Sequence, residues 1–569
     1  MKQCRFYLYY LLPIFLMFIM SGCAEFPKEM EVPLEHIIMF DGSGKPLNPK
    51  GNLGEITSVN KTEAKAKNLH FSSILFNYDG EDDRTYKEQH IERIKNEMTE
   101  FFEKKPTKRL LIFIHGGLNS QVDSLERIVG CIKDENKPLY EKIKDNGYYP
   151  IFINWKSSLL SSYAEHLISL RQGETHEYYG LLTSPVVFAA DVSRGSSRWL
   201  TVSGNLLTND IQTIPRNRNE IVDDSDADDS NKADKVAKQL LCLKYNEVKE
   251  KDYSKAISCI NDKVNDKERV QFGVAPRFWK FEYQNIKGHR PEKEANNTNL
   301  FPVVIGDDKR ELLEMTENFS TWTVTYPFKL LSAPVIDAFG SSAWDVMLRR
   351  TDLLFHPEDE STSLIPTDDD LKGLPYFFDS LEKTIGKEKN WEITLVGHSM
   401  GTIVANKIIK EFGDKLPIKK IVYLASADTI QNYEEAVYPY LKSHENTDIY
   451  HFVLHPVAEE SEQFWYLPPR GSLLVWIDNF LSKPLSSKQR TAGRYDNLLP
   501  NLHNAPDKIR GRIHLRVFSA GDSAEDKNPQ THSDVAGRFK FWDDTCLESS
   551  EKEGCVIKEK SSVDNCVTQ

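Results

Sequence analysis

Ile393-Thr394-Leu395-Val396-Gly397-His398-Ser399-Met400-Gly401-Thr402-Ile403-Val404 is the most informative stretch of the chain. Its first four residues are apolar or β-branched, as in a short strand buried on both faces. Beyond Met400, the residues Ile403, Val404, Ile408, Ile409 and Phe412 recur at helical spacing, and Gly413 stops the run. A serine with a glycine two residues to either side therefore falls on a strand-to-helix turn. Such a turn strains the backbone of its central residue, and side chains at the flanking positions would collide with the adjoining strand and helix. Ser399 then projects at a helix N-terminus, where the local dipole favours developing negative charge. The competing reading is a turn serine without chemistry.

Outward from this motif, strands alternate with helices, the pattern of an α/β domain. On the N-terminal side His36–Phe40, Phe71–Phe76, Arg109–His115 and Tyr149–Trp155 read as strands, with helices over Tyr86–Lys104 and Asp123–Lys144. On the C-terminal side Ile418–Leu424, Ile449–Leu454 and Ile513–Phe518 complete an expected eight-stranded, mostly parallel sheet, with Ile393–Val396 as its fifth strand. A long insertion separates strands four and five. Its centre, Ile221 to Glu268, is rich in charge and poor in aromatics, the composition of an exposed or partly disordered excursion. There Asp224-x-Asp226-x-Asp228 invites a calcium-loop reading, but Asp229 stands where such a loop needs Gly and Lys235 where it needs Glu. The apolar segments Ser184–Leu207 and Phe328–Phe355 read as helices, either a lid or extra packing. Ser472–Leu481 reads as an apolar helix, either core or part of an acyl-binding wall.

A second motif follows the third strand: His115-Gly116-Gly117-Leu118, where paired glycines let the backbone approach a substrate oxygen. With both motifs on their strands, the chain resembles the α/β-hydrolases of the lipase and esterase type. The resemblance covers the strands on both sides of the insertion, not the insertion itself. It implies the α/β-hydrolase fold, a serine nucleophile at Ser399 and an oxyanion hole. That hole would take one N–H from Met400 and the other from Gly117, with Leu118 next in line. His115 would shape the loop rather than act as base. It also implies the order serine, acid, histidine, with the histidine after the last strand; His532, in Thr531-His532-Ser533-Asp534, occupies that place. Two carboxylates compete for the acid. Asp428 follows the sixth strand and is the commoner residue type; Glu459 follows the seventh and has the commoner position. Either would orient His532 and stabilise its cation. His503 and His514 lie before or within the last strand and read as structural, as does Asp522 in its loop.

The resulting organisation is a leader over 1–22 and the two halves of the hydrolase domain over 23–215 and 392–545. Between the halves lie a charged insertion over 216–298 and a helical insertion or lid over 299–391, and a cysteine-containing tail over 546–569 ends the chain. The leader reads Lys2 and Arg5, then an apolar run from Phe6 to Met20, then Ser21-Gly22-Cys23, the basic–apolar–small order of a signal peptide. The apolar run is short for a bilayer, which takes about 20 residues. Cys23 directly after small residues resembles a bacterial lipobox. That implies a lipoprotein held to a membrane by acyl lipid, palmitate included, on Cys23, and so a cell-envelope location. Ala24 rather than Asp implies the outer membrane of a two-membrane bacterium.

Lys+Arg 72 against Asp+Glu 85 leaves a net charge of -13, which disfavours a nucleic-acid binder because phosphates would not be neutralised. Besides the anchor, Cys131, Cys242, Cys259, Cys546, Cys555 and Cys566 follow the leader. In an exported protein they suggest disulfides: Cys242 with Cys259, and two of the three in the tail. No cysteine or histidine spacing suggests zinc. The expected activity is hydrolysis of carboxylic (acyl) esters, lipids included, through an acyl-enzyme, without metal or organic cofactor. An acyltransferase sharing that intermediate and a non-catalytic envelope lipoprotein of the same fold stand as alternatives.

Overall fold

The computed structural model of the chain describes, with short gaps, residues 33–47, 84–197, 303–305, 336–356, 373–518, 528–548 and 554–557. Its strands are β1 (Ile37–Phe40), β2 (Pro46–Leu47), β3 (Lys108–Ile114), β4 (Tyr148–Trp155), β5 (Leu170–Arg171), β6 (Glu174–Thr175), β7 (Val303–Ile305), β8 (Trp391–His398), β9 (Ile418–Leu424), β10 (Asp448–Leu454) and β11 (Ile513–Phe518). The chain forms two compact units. The first draws on Met1–Ser196, Val335–Lys419 and Ser561–Gln569, the second on Ser197–Pro334 and Lys420–Lys560.

In the first unit the strand order is β2-β1-β4-β3-β8. β1, β4, β3 and β8 run parallel, and only the two-residue β2 is antiparallel. Leu110 to Ile114 and Tyr148 to Trp155 are buried without alternation, as a parallel sheet covered on both faces demands. One cover is the helix Arg84–Phe102, which buries Ile91, Ile94, Met98 and Phe102 at helical spacing. Phe102 meets Trp391 of β8 edge to face at 5.4 Å. Another contact joins Phe378 of helix Leu374–Ile385 to Phe412 of helix Gly401–Phe412, their rings stacked at 5.2 Å. The register pairs Ile114 of β3 with Gly397 of β8, so the two strands end side by side. The segments leaving them, His115-Gly116-Gly117 and Ser399, therefore emerge at one edge of the sheet.

The second unit takes up the chain at Lys420, inside β9, and orders its strands β9-β10-β11-β7, all parallel. Helix Ile430–Ser443 is capped by Thr429, whose hydroxyl accepts from Asn432 N–H, and buries Tyr433, Val437 and Leu441. Ser472 caps the helix Leu473–Trp476, which widens into a π-turn over Ile477–Leu481. That segment buries Leu474, Trp476, Phe480 and Leu481, so it is core. In the tail Cys546 is bridged to Cys555.

The α/β class and the mostly parallel pairing agree with the sequence reading; several details do not. Besides the hairpin β5–β6, the described residues hold nine sheet strands rather than eight. β2 and β7 were not anticipated because two or three residues carry no usable periodicity. β7 also shows that the block over 299–391 is not purely helical, since Val304 pairs with Val517 of β11. The single helix expected over Asp123–Lys144 is two helices, Gln121–Val129 and Leu139–Asp145, the second entered through Pro138, which fits a helix start but not a helix interior. The apolar segments of the insertion form helices over Tyr179–Ser197 and 336–353. Asp191 binds them together by accepting from Tyr163 and Ser342 and pairing with His166 and Arg194. The expected strand Phe71–Phe76, the leader with Cys23, Leu118, the acidic loop 224–228, the pair Cys242–Cys259, Cys131 and Cys566 lie outside the described residues. Among those residues no helix is long and apolar enough to cross a membrane.

Candidate active site

The turn from β8 into helix Gly401–Phe412 places Ser399 at φ +52°. Among the described residues Ala425 is the other non-glycine residue with positive φ. Left-handed backbone costs a residue with a Cβ roughly 1–3 kcal/mol and persists where surrounding packing over-determines it. Both flanks supply that packing. A Cβ on Gly397 would lie 2.9 Å from Thr402 Cα, and one on Gly401 would lie 2.2 Å from the Ile114 carbonyl oxygen. The first turn of the helix thus rests directly on the end of β3, a distance only glycine permits. Thr402 closes the turn, its N–H and hydroxyl both donating to Ser399 O at 3.1 and 2.7 Å. Ser399 is fully buried, and its Oγ has no hydrogen-bond partner. An unsatisfied buried hydroxyl costs about 1–3 kcal/mol.

The loop leaving β3 lies against this turn. A Cβ on Gly116 would stand 2.6 Å from Ser399 Cβ, and one on Gly117 would stand 2.4 Å from Met400 Sδ. The structure therefore brings Ser399, Met400, Gly116 and Gly117 together within the first unit. The glycine packed against the serine itself is Gly116, the neighbour of the Gly117 expected to donate its N–H. His115 supports the loop from beneath: its Nδ1 lies 2.7 Å from Gly116 O, and its Nε2 lies 3.0 Å from Trp155 N. Ser157, just beyond β4, donates to the same Gly116 O at 3.1 Å.

Asp428, Glu459 and His532 belong to the second unit, and all three are buried. Asp428 follows β9 on a segment laced to its neighbour: Ala492 N–H donates to Asp428 O, and Gly493 N–H to Ser426 O, both at 2.7 Å. Its Oδ1 accepts from Thr429 N–H at 2.7 Å and from Asn432 Nδ2 at 2.8 Å, a donor set suited to a charged carboxylate. Glu459 is placed differently. Oε2 accepts from the Ser472 hydroxyl, and Oε1 has no hydrogen-bond partner. Burial raises its carboxyl to about 7, against the pull of Ser472 and of Arg494. His532 opens the helix His532–Arg538, whose cap is Thr531. Its backbone N–H donates to Glu462 Oε2 at 2.9 Å. Burial lifts the Glu462 carboxyl to about 8, opposed by that hydrogen bond and reinforced by Glu459 and Asp534.

A strained, buried hydroxyl beside close-packed backbone amides can attack an acyl carbon and shelter the oxyanion that results. Two contributors escaped the sequence reading, and Gly116 was read only as one of the paired glycines that let the backbone approach a substrate oxygen. Ser157 carries no signal, since a serine after a strand is commonplace. Glu462 lies in Glu459-Glu460-Ser461-Glu462, where nothing separates one acid from the next. Among the described residues no group of His, Cys, Asp and Glu is arranged to hold a metal ion. Comparison of the chain with protein-family models, curated proteins and solved structures gives no match.

Proposed function

We propose that the chain is a serine hydrolase of the α/β-hydrolase fold, of the lipase and esterase type, cleaving carboxylic (acyl) esters through Ser399. One observation carries this reading: a serine at φ +52° on a strand-to-helix turn, with backbone packed too tightly around it for any flanking side chain. A turn serine without chemistry has no need of left-handed backbone, nor of a hydroxyl buried without a partner.

In the proposed reaction Ser399 Oγ attacks the ester carbonyl carbon while the His532 imidazole takes its proton. The carbonyl oxygen becomes an oxyanion held by the Met400 and Gly117 N–H groups. Its collapse breaks the C–O bond, and His532 returns the proton to the departing alcohol. Water, deprotonated by His532, then attacks the acyl-enzyme; the acyl C–Oγ bond breaks, the acid leaves, and His532 returns the proton to Ser399 Oγ. Asp428 or Glu459 orients His532; the two N–H donors on Asp428 favour the charged carboxylate this role needs, whereas burial pushes the Glu459 carboxyl up toward its neutral form. The lipobox-like sequence before Cys23 supports a cell-envelope location for this chemistry, beside lipid and other acyl esters.

The test is turnover of p-nitrophenyl esters over a series of acyl-chain lengths by the folded full chain. Hydrolysis that disappears in Ser399→Ala supports the reading, and a preference for long chains makes the pocket lipase-like. Equal rates for wild type and Ser399→Ala reject it.

A further inference from the structure

The Gly116 carbonyl and the Gly117 N–H belong to one peptide group. In a trans peptide these two point in opposite directions, and the plane turns as a unit. Whatever holds the carbonyl therefore aims the N–H. Two donors converge on Gly116 O: His115 Nδ1 at 2.7 Å and Ser157 Oγ at 3.1 Å. The assignment of His115 follows from its other nitrogen. Nε2 lies 3.0 Å from the backbone nitrogen of Trp155, which can only donate. Nε2 is thus the acceptor, Nδ1 carries the proton, and Nδ1 donates to the Gly116 carbonyl.

The parts are themselves fixed. The His115 ring stacks on Trp155 with centroids 5.9 Å apart. The segment bearing Ser157 is held by Arg350, fully buried, which donates to Lys156 O at 3.2 Å and to Ser162 Oγ at 2.8 Å, and forms an ion pair with Glu165. Neither Ser157 nor Arg350 is drawn into the chemistry proposed above, yet one reaches the peptide that faces Ser399 and the other anchors the strand end from which it reaches.

We propose that Ser157 is a positioning residue: with His115 it clamps the Gly116–Gly117 peptide so that the Gly117 N–H is locked toward the oxyanion before substrate arrives. The clamp rests on the serine-hydrolase reading and would act there in three ways. A clamped peptide cannot flip its N–H away from the site. Two donors on the carbonyl polarise the amide, strengthening the N–H on its far side. And a fixed donor acts where charge develops, in the transition state rather than the ground state.

The experiment compares wild type, Ser157→Ala and Ser157→Thr as full-length proteins, with rates expressed per fluorophosphonate-titrated active site. Two readouts are taken: steady-state hydrolysis of a p-nitrophenyl ester, and inhibition by a trifluoromethyl ketone that forms a tetrahedral oxyanion on serine. The clamp predicts that Ser157→Ala lowers kcat by about 10- to 100-fold, less than loss of a whole oxyanion donor, with little change in KM. It predicts a parallel loss of inhibitor affinity, restored by Ser157→Thr, which keeps the hydroxyl. Unchanged kcat and inhibitor affinity in Ser157→Ala overturn the clamp while leaving the hydrolase reading intact. So does a drop in thermal midpoint with full activity per titrated site, the mark of a merely structural serine. A folded wild type that neither hydrolyses the ester nor takes the probe overturns the hydrolase reading, and the clamp with it.

Discussion

The turn around Ser399 and the acids around His532 are built on opposite principles. At the turn the determinants are glycines: Gly397, Gly401 and Gly116 let three backbones meet where any Cβ would overlap. Around His532 and the two candidate acids the determinants are side chains: Glu462, 70 residues away in the chain, accepts from the His532 N–H, and the Ser472 hydroxyl donates to Glu459. Backbone approach leaves a signature in the sequence because only one residue type permits it. A carboxylate leaves none, because acids populate every solvated loop.

The largest effect is expected at the turn. Ser399→Ala should reduce turnover by about 10⁴- to 10⁶-fold while circular dichroism stays at wild type and the thermal midpoint holds or rises, since the unpartnered buried hydroxyl is gone. Survival of activity would reduce the turn to architecture. At the acids, Asp428→Asn and Glu459→Gln are compared at matched stability. The residue that orients His532 should lose about 10⁴-fold in kcat, as an acid lost from such an arrangement does, and the other far less. The hydrogen bonds seen here place the larger loss at Asp428. Full activity in both variants would remove both from the mechanism.

The contrast also sets how far each region could be read from sequence. The α/β class followed from uninterrupted apolar strands such as Leu110–Ile114, and the turn followed from Gly397 and Gly401. β2 and β7 escaped because two or three residues have no period, and the break before Pro138 was hidden within a helical run. Within the site, motif and loop were legible, but not which glycine meets the serine. Between Asp428 and Glu459 the place in the chain favoured Glu459, and the donors that favour Asp428, Thr429 N–H and Asn432, are known only once the chain is folded.

Smaller effects sharpen the second region. Glu459 and Glu462 rise from an ordinary value of 4.5 to about 7 and about 8, chiefly through burial. Between 4.5 and those values the folded state holds protons that the unfolded chain has released. Their contribution to stability is therefore full below pH 4.5 and is lost as pH climbs to about 7 for Glu459 and about 8 for Glu462, on the order of a few kcal/mol. Denaturant titrations at pH 5 and pH 8 should show this fall, and Glu462→Gln, which keeps an acceptor for His532 N–H, should flatten it. A slope identical to wild type would contradict the assignment. The smallest effect is expected at the tail, where reducing the Cys546–Cys555 bridge should cost about 2–3 kcal/mol and leave turnover at pH 7 unchanged.

The reactivity of one hydroxyl decides whether the chain is a serine hydrolase. Treating the folded full chain with a fluorophosphonate and mapping the adduct by peptide mass spectrometry measures it directly. The predicted result is stoichiometric phosphonylation of Ser399, abolished by prior unfolding and slowed in His532→Ala. An unmodified Ser399 in protein shown to be folded, or a label that settles on another serine, would contradict it.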